Sequence, residues 1–323
     1  MVSLKVFRIM KKVTLENLKY QLGDLLAITL FAYSRLIFRH FSQKTLVLIS
    51  RSLGTLAFSL YKRHRERVVG NLSFVFGKEK GPAEIRRLAK EVFFHFTLTP
   101  LETIYLAAHG LAFDRFILKI RIEGKEHLDA ALTKGNGVIA LGAHLGSFTL
   151  LGSRLALEGY RVNIMINKGD FPGLWKRLDA FHEILGQKTF PPKPITTSLK
   201  KSLNCLQRNE ILYLVADEQQ RRRGTPVPFF GQQAFTPTGP AIFSLKTGAP
   251  ILPMFVLRED ETKRTLVIGN PIEIERTGDE KKDIERLTAK FTKVIEETIR
   301  QYPHQWAWLN RRWKLSRPRE GIF

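Results

Sequence analysis

Cysteine is nearly absent: the chain of 323 residues has one, Cys205. Neither a disulfide framework nor a cysteine metal site can be built within it. Acidic residues are scarce, with 30 Asp and Glu against 52 Lys and Arg, a formal net charge of +22. That excess points to an anionic partner, nucleic acid or a membrane surface; the alternative is a merely soluble basic protein. Long apolar runs are missing as well. No stretch reaches the roughly 18–20 uninterrupted apolar residues of a spanning helix. The best run, Leu25 to Tyr33, breaks at Ser34 and Arg35 and resumes through Leu36, Ile37 and Phe38. Lys5, Arg8, Lys11, Lys12 and Lys19 spread over the first twenty residues, and no small-residue cleavage site follows an apolar stretch, so this segment does not read as a secretory leader. HExxH spacing, a P-loop and a GxGxxG turn are lacking, so no metal and no cofactor are expected. A helix-turn-helix signature, an RNA-recognition motif and zinc spacing are lacking too, which argues against nucleic acid as the partner.

What is present suffices for a large core, since 44% of the residues are hydrophobic. Residues 1–70 hold 13 Lys or Arg and three acids, Glu16, Asp24 and Glu66. Their apolar residues fall into helical patches, Leu25–Phe38 and Leu46–Leu60, interleaved with Arg35, Arg39, Lys44 and Arg51. Such helices can lie in a headgroup zone, with basic side chains reaching anionic phosphates, or pack on the body of the protein. Residues 83–112 read as helix. From about residue 120, short apolar runs alternate with helical stretches. The predicted strands are Leu118–Ile122, Gly137–Leu141, Val162–Ile166, Ile211–Val215, Ile251–Leu257 and Thr265–Ile268. The predicted helices are Phe148–Leu157, Leu174–Ile184, Ser198–Gln207 and a last one from about Lys282 to Gln301. This alternation predicts an α/β fold, a mostly parallel central sheet covered by helices on both faces. Residues 1–75 form its N-terminal amphipathic, membrane-associating helical extension, and 76–323 the α/β domain.

Three segments can carry chemistry. The first is Gly142-Ala143-His144-Leu145-Gly146-Ser147-Phe148-Thr149, delivered by the apolar run Val138–Leu141. A polar group at the carboxyl end of such a strand is where open α/β sheets bind ligands. A His just ahead of a helix start is kept neutral, as a general base requires, and the small residues around it leave room for a substrate. The plainer reading is a His that caps a turn. The second segment is Asp217-Glu218-Gln219-Gln220 after Leu214-Val215-Ala216, followed by Arg221, Arg222, Arg223 and then Phe229-Phe230-Gly231. Arginine forks beside aromatics suit an amphipathic ligand with an anionic head; a solvated charge run is the alternative. The third is Tyr302 to Lys314, which holds Trp306, Trp308 and Trp313. Trp with Arg and Lys reads as membrane-interface anchoring, as a grip on single-stranded nucleic acid, or as a Trp-rich core corner.

Taken in order, these segments resemble the lipid A biosynthesis lauroyl/myristoyl acyltransferases, relatives of the lysophospholipid acyltransferases. The resemblance covers about residues 60–315. It includes Arg67 with Asn71-Leu72, the His144 and Asp217 blocks, and Pro228-Phe229-Phe230-Gly231. It continues through Thr236-Pro237-Thr238-Gly239-Pro240, Thr247-Gly248-Ala249-Pro250 with Pro253, and Pro303 to Trp308 with Arg311-Arg312-Trp313-Lys314. It implies an acyl carrier protein thioester as donor and a membrane lipid as acceptor, a lipid A precursor or a related lipid. It also implies work at the cytoplasmic face of a bacterial inner membrane, on an anionic surface, by a peripheral or monotopic protein. His144 would remove the acceptor hydroxyl's proton. Ser147, Lys168, Glu218, Gln219, Arg221–Arg223 and Phe229–Gly231 would contact substrate.

The family motif places a carboxylate five positions after the His. Here that position is Thr149. A hydroxyl orients an imidazole but cannot offset its charge. Three explanations follow, in order of preference. Asp217 or Glu218 reaches the ring from the next strand end; or the His works unassisted; or the protein binds lipid with weak or no transfer. Positions 144 and 149 are about 140° apart around a regular helix. They can meet only if His144 precedes the helix, which is predicted to start at or after Leu145.

Overall fold

Ser42 opens the first well-packed helix by accepting the Thr45 amide on its hydroxyl at 3.1 Å. The computed structural model describes residues 21–109, 114–169 and 171–313, without the side chains of residues 114 and 115. The basic residues up to Lys19, and Lys314, lie outside the described residues. The N-terminal helices are α1 (Gln21–Phe38), α2 (Gln43–Leu60), α3 (Lys62–Phe76) and α4 (Pro82–His109). The chain continues through α5 (Asp114–Ile117), β1 (Arg121–Glu123), α6 (Lys125–Leu132) and β2 (Val138–Gly142). A 3-10 turn (Phe148–Leu150) then leads into α7 (Leu151–Leu157), β3 (Val162–Met165), α8 (Pro172–Ile184), β4 (Gln187–Phe190) and α9 (Ile195–Gln207). Next come β5 (Ile211–Val215), β6 (Gly224–Phe229), β7 (Gln232–Pro237), α10 (Gly239–Thr247), β8 (Ile251–Arg258) and β9 (Arg264–Ile268). The last elements are α11 (Glu280–Gln301) and a 3-10 turn (Pro303–Gln305).

Seven strands form one sheet in the order β1-β9-β8-β2-β5-β3-β4. All pairs are parallel except β8 with β9. Strand β2 shows why its residues are apolar throughout. Ile139 and Leu141 enter one core with Leu72, Phe93 and Phe291; Val138 and Ala140 enter the other with Leu150, Leu151 and Leu155. A strand buried on both faces reads as a continuous apolar run. The expected α/β sandwich is therefore the fold found.

Helices α2 and α3 belong to this body. Leu46, Val47, Phe58, Val68, Leu72 and Phe76 are buried. Gly54 lets α2 approach α4 closely, because a Cβ there would lie 2.8 Å from the Phe94 Cα. Helix α1 differs: none of its residues is buried, and Leu22, Leu25, Leu26, Leu30, Tyr33, Leu36 and Ile37 are exposed. Asp24 ties it to the body by accepting the Gly173 and Leu174 amides at 2.8 and 3.1 Å, which caps α8, and Phe38 at its far end packs against the core. The apolar run that looked too broken to span is a continuous helix of 18 residues. By length and composition it is long and apolar enough to cross a membrane.

Three strands escaped the sequence reading. β4 has one apolar residue, Phe190, among its four, and β6 and β7 form a two-stranded hairpin apart from the main sheet. In β6 the prolines Pro226 and Pro228 occupy exposed positions that alternate with buried ones. The predicted first strand begins later than expected, at Arg121.

Candidate active site at the ends of β2 and β5

Register brings the first two chemical segments together. Gly142, the last residue of β2, pairs with Val215, the last of β5. Two residues further along each chain stand His144 and Asp217. The Asp217 carboxylate is fully buried and collects three donors. The His144 ring Nδ1 lies 2.8 Å from Oδ1; the His144 amide (2.9 Å) and the Trp306 indole (2.7 Å) both reach Oδ2. A carboxylate at Nδ1 fixes the proton there in the neutral ring and leaves the Nε2 lone pair free. The ring side chain is 27% exposed, and Nε2 makes no hydrogen bond among the described residues. Glu218 sits 3.8 Å from Nε2, too far for a hydrogen bond, and Phe148 packs edge-on against the ring at 5.0 Å.

The loop that holds His144 is clasped by the segment after α11. Gln305 accepts the Gly146 amide on its carbonyl at 3.1 Å, and the Ala307 amide donates to the His144 carbonyl at 3.0 Å. Ser147 donates its amide to Val256 on β8 at 2.8 Å. The helical turn starts at Phe148, so His144 precedes it as predicted.

Burial by itself lowers the pKa of His144, but Asp217, with a smaller effect of Glu218, overcomes this and raises it to about 9. Burial likewise pushes Asp217 up, while His144 and Trp306 outweigh it and hold Asp217 below the ordinary carboxylate range. The pair therefore rests as imidazolium and carboxylate at neutral pH.

The sequence as a whole fits a known pattern. Residues 17–315 match the family model of the bacterial lipid A biosynthesis acyltransferase. The chain belongs to this acyltransferase family. It is 27% identical over 280 residues to the lipid A biosynthesis lauroyltransferase of Escherichia coli K12, spanning 84% of this chain and 85% of that protein. It is 24% identical over 287 residues to the lipid A biosynthesis palmitoleoyltransferase of the same strain, spanning 84% and 86%. A phosphatidylinositol mannoside acyltransferase of Mycobacterium tuberculosis H37Rv is 30% identical over 136 residues, spanning 41% of this chain and 42% of that protein.

In this acyltransferase Thr149 does not hold the His144 ring. Its hydroxyl accepts from Thr103 of α4 at 3.0 Å, and Asp217 takes the ring nitrogen instead. Thr149→Val is therefore expected to leave kcat/KM for acyl transfer within about threefold of wild type. It removes one hydrogen bond of about 1 kcal/mol, read as a small drop in melting temperature.

Several other assignments change. The small residues of the loop do not open space for substrate. A Cβ on Gly142 would lie 2.5 Å from the buried Tyr213 ring, and one on Gly146, at φ +61°, would collide with the Val256 carbonyl. Ser147 is fully buried and donates to Glu102 at 3.1 Å, so it faces away from any ligand. Phe229 and Phe230 are buried among Trp306, Trp308 and Trp313. Phe230 and Gly231, both at positive φ, make the two-residue turn between β6 and β7, and the Phe230 amide donates to Glu296 at 2.6 Å. These aromatics are core, not ligand contacts. The three tryptophans are core for the same reason, not interface anchors. Lys168 forms an ion pair with Asp179. Arg221, Arg222 and Arg223 are exposed and make no ion pair among the described residues; Gln219 is half-exposed beside Glu218.

Two functional contacts were missed by sequence reasoning. Trp306 as the partner of Asp217 was hidden in a segment whose sequence left interface anchoring, a nucleic-acid grip and a core corner open. Glu102 was overlooked altogether. It is fully buried and bonds Arg258 at 2.6 Å and Arg264 at 2.5 Å beneath the loop that carries Ser147. Its signal was a single acid on the apolar face of α4, between Leu98 and Tyr105.

Proposed function

We propose that this acyltransferase moves a fatty acyl group from an acyl carrier protein thioester to a hydroxyl of a membrane glycolipid, a lipid A precursor or a close chemical relative. The observation that carries this reading is the partly exposed His144 ring, tied to Asp217 through Nδ1 and, among the described residues, without a hydrogen bond at Nε2. Once deprotonated, Nε2 takes the proton of the acceptor hydroxyl. The hydroxyl oxygen attacks the thioester carbonyl, the C–S bond breaks, and the imidazolium returns the proton to the leaving thiolate. The products are an ester and a free thiol. The oxyanion needs donors that are still free. Gly146 and Ser147 have committed their amides to Gln305 and Val256. The first amides of the following helical turn, at Phe148 and Thr149, have no carbonyl partner within that helix and are the donors we assign.

Glu218, Gln219 and the exposed arginines Arg221–Arg223, on the segment that follows Asp217, are assigned to the acceptor's polar head. The exposed apolar side of α1 is assigned to the membrane, at the cytoplasmic face of a bacterial inner membrane where carrier-protein thioesters are made. Names of similar proteins support a glycolipid acceptor: two act in lipid A biosynthesis and one acylates phosphatidylinositol mannoside.

The test is transfer in vitro by the full-length protein. Membrane lipids from a strain lacking the protein are incubated with acyl carrier protein thioesters or with acyl-coenzyme A, and products are weighed by mass spectrometry. The expected result is a lipid heavier by one fatty acyl group, formed faster from the carrier protein. No acylated lipid from either donor would sink the reading; faster transfer from coenzyme A would replace the donor.

A further inference from the structure

The segment that clasps His144 carries a second, less obvious group. Arg312 is only 1% exposed. Its Nη1 donates to the carbonyls of Glu218 (3.1 Å) and Phe235 (3.0 Å), and its Nη2 donates to the Thr236 hydroxyl at 2.5 Å. The guanidinium lies 4.7 Å from the centre of the Phe229 ring, and Nε has no hydrogen-bond partner. Among the described residues Arg312 makes no salt bridge. A buried cation without an ion-pair partner is destabilising, and such groups concentrate at functional sites.

Two facts tie this cation to the site. The carbonyl it grips belongs to Glu218, the residue after Asp217. And Asp217 is the carboxylate whose field opposes the effect of burial on Arg312, which is lowered to about 10. We propose that Arg312 is a positioning residue of the acyltransferase: it fixes the turn that presents Asp217 and acts as that carboxylate's permanent counter-charge, so that Asp217 stays ionised while His144 is neutral and ready to accept a proton. The proposal rests on His144 being the base.

The charge count makes the role concrete. With His144 neutral, Asp217 and Arg312 sum to zero inside the protein. Without Arg312 the same state holds a lone buried carboxylate, which pulls a proton onto the neighbouring ring. Removing Arg312 therefore favours imidazolium, the form that cannot act as a base. The other groups near the ring do not substitute for it. Glu218 is negative; Tyr213, on β5 beside the loop, is neutral. Beneath Ser147, Arg258 and Arg264 are tied to Glu102, and His95 is neutral.

The test compares Arg312→Gln and Arg312→Lys in the full-length protein. Histidine ring signals are titrated by NMR, with His144 assigned by its loss in His144→Ala, and kcat/KM for transfer is measured against pH. Arg312→Gln is expected to raise the His144 pKa by about one unit, to move the rising limb of the rate profile by the same amount, and to lower kcat/KM at neutral pH about tenfold. Arg312→Lys restores the titration. A folded Arg312→Gln protein with an unshifted His144 overturns the proposal. If Arg312→Gln does not fold, the decisive measurement is made in Asp217→Asn. There the added Arg312→Gln should be tolerated: a double variant that folds supports the proposal, and one that fails to fold, as the single variant does, overturns it. The ring titration is read without turnover, so failure of the transfer reaction and failure of this assignment are told apart.

Discussion

Replacing Asp217 by Asn lowers kcat/KM for acyl transfer by about 10³- to 10⁴-fold and moves the rising limb of its pH profile to lower pH. The loss follows from charge. When Nε2 accepts the acceptor's proton, an imidazolium forms in a largely buried place, and Asp217, 2.8 Å away, is its counter-ion. An amide keeps much of the geometry but presents the wrong tautomer and no charge, which costs about 10⁴ in imidazole–carboxylate pairs of this kind. The pH shift follows from the same pair. In the native protein His144 titrates at about 9, raised above an ordinary 6.5, so the reactive neutral ring accumulates as pH rises through 9. With Asp217 neutral, burial prevails and the ring titrates below its ordinary value, so the profile levels off earlier, at a far lower plateau. Rates measured across pH 5–10 for both proteins check this; a profile that keeps its midpoint in Asp217→Asn would remove the carboxylate from the mechanism. Stability carries the opposite sign. A raised histidine stabilises the fold fully below about pH 6.5 and ceases to do so as pH rises through 9. The acyltransferase is therefore expected to gain activity over the same alkaline range in which this pair stops holding the fold together.

Glu102→Gln is the second large effect, and it strikes the fold first. Glu102 is the carboxylate to which two buried guanidiniums, Arg258 and Arg264, are bonded. Removing one partner of a buried ion cluster leaves the others charged and unpaired, at about 3–5 kcal/mol. For a chain of this size that is roughly 6 °C in melting temperature, readable by calorimetry. His95 cannot relieve the strain by giving up a proton, since burial and Arg258 hold it at about 2 and it is already neutral. The effect spreads to the site because one neutral amide oxygen replaces the carboxylate that Ser147 and both arginines share, and Arg258 also supports the Thr99 hydroxyl that donates to the Gly146 carbonyl. Replacing Glu102, Arg258 and Arg264 together by apolar residues of similar volume should recover much of the stability. If Glu102→Gln melts within a degree of the native protein, the cluster does not contribute as described.

The parts of this molecule that were legible in its sequence are those where one rule dominates. The strands Ile211–Val215 and Ile251–Arg258 are buried on both faces, and unbroken apolar runs announce them. His144 and Asp217 stood out as polar residues just past such runs. That both lie two residues beyond paired strand ends was not legible, because register depends on neighbours distant in sequence. Thr149 misled in the other direction: the family motif fixes a position, yet here the carboxylate arrives from a different strand. Trp306, Trp308 and Trp313 illustrate a deeper ambiguity. Aromatics beside arginines satisfy a membrane interface and a core with inward-facing guanidiniums equally well, and only the burial of Arg312 and Trp306 decides between them. Hairpin β6–β7 hid because proline usually argues against a strand, whereas here it faces outward.

The clasp of residues 303–313 ties the site to the whole chain in time as well as in space. The contact of Asp217 with His144 spans 73 residues, that of Trp306 with Asp217 spans 89, and that of Asn71 with the Trp308 carbonyl spans 237. Contacts this far apart close late, after the local helices and the nearest strand pairs have formed. A partly folded molecule that lacks these contacts has not yet brought His144, Asp217 and Trp306 together. Activity of this acyltransferase is therefore expected to be a sensitive gauge of correct folding.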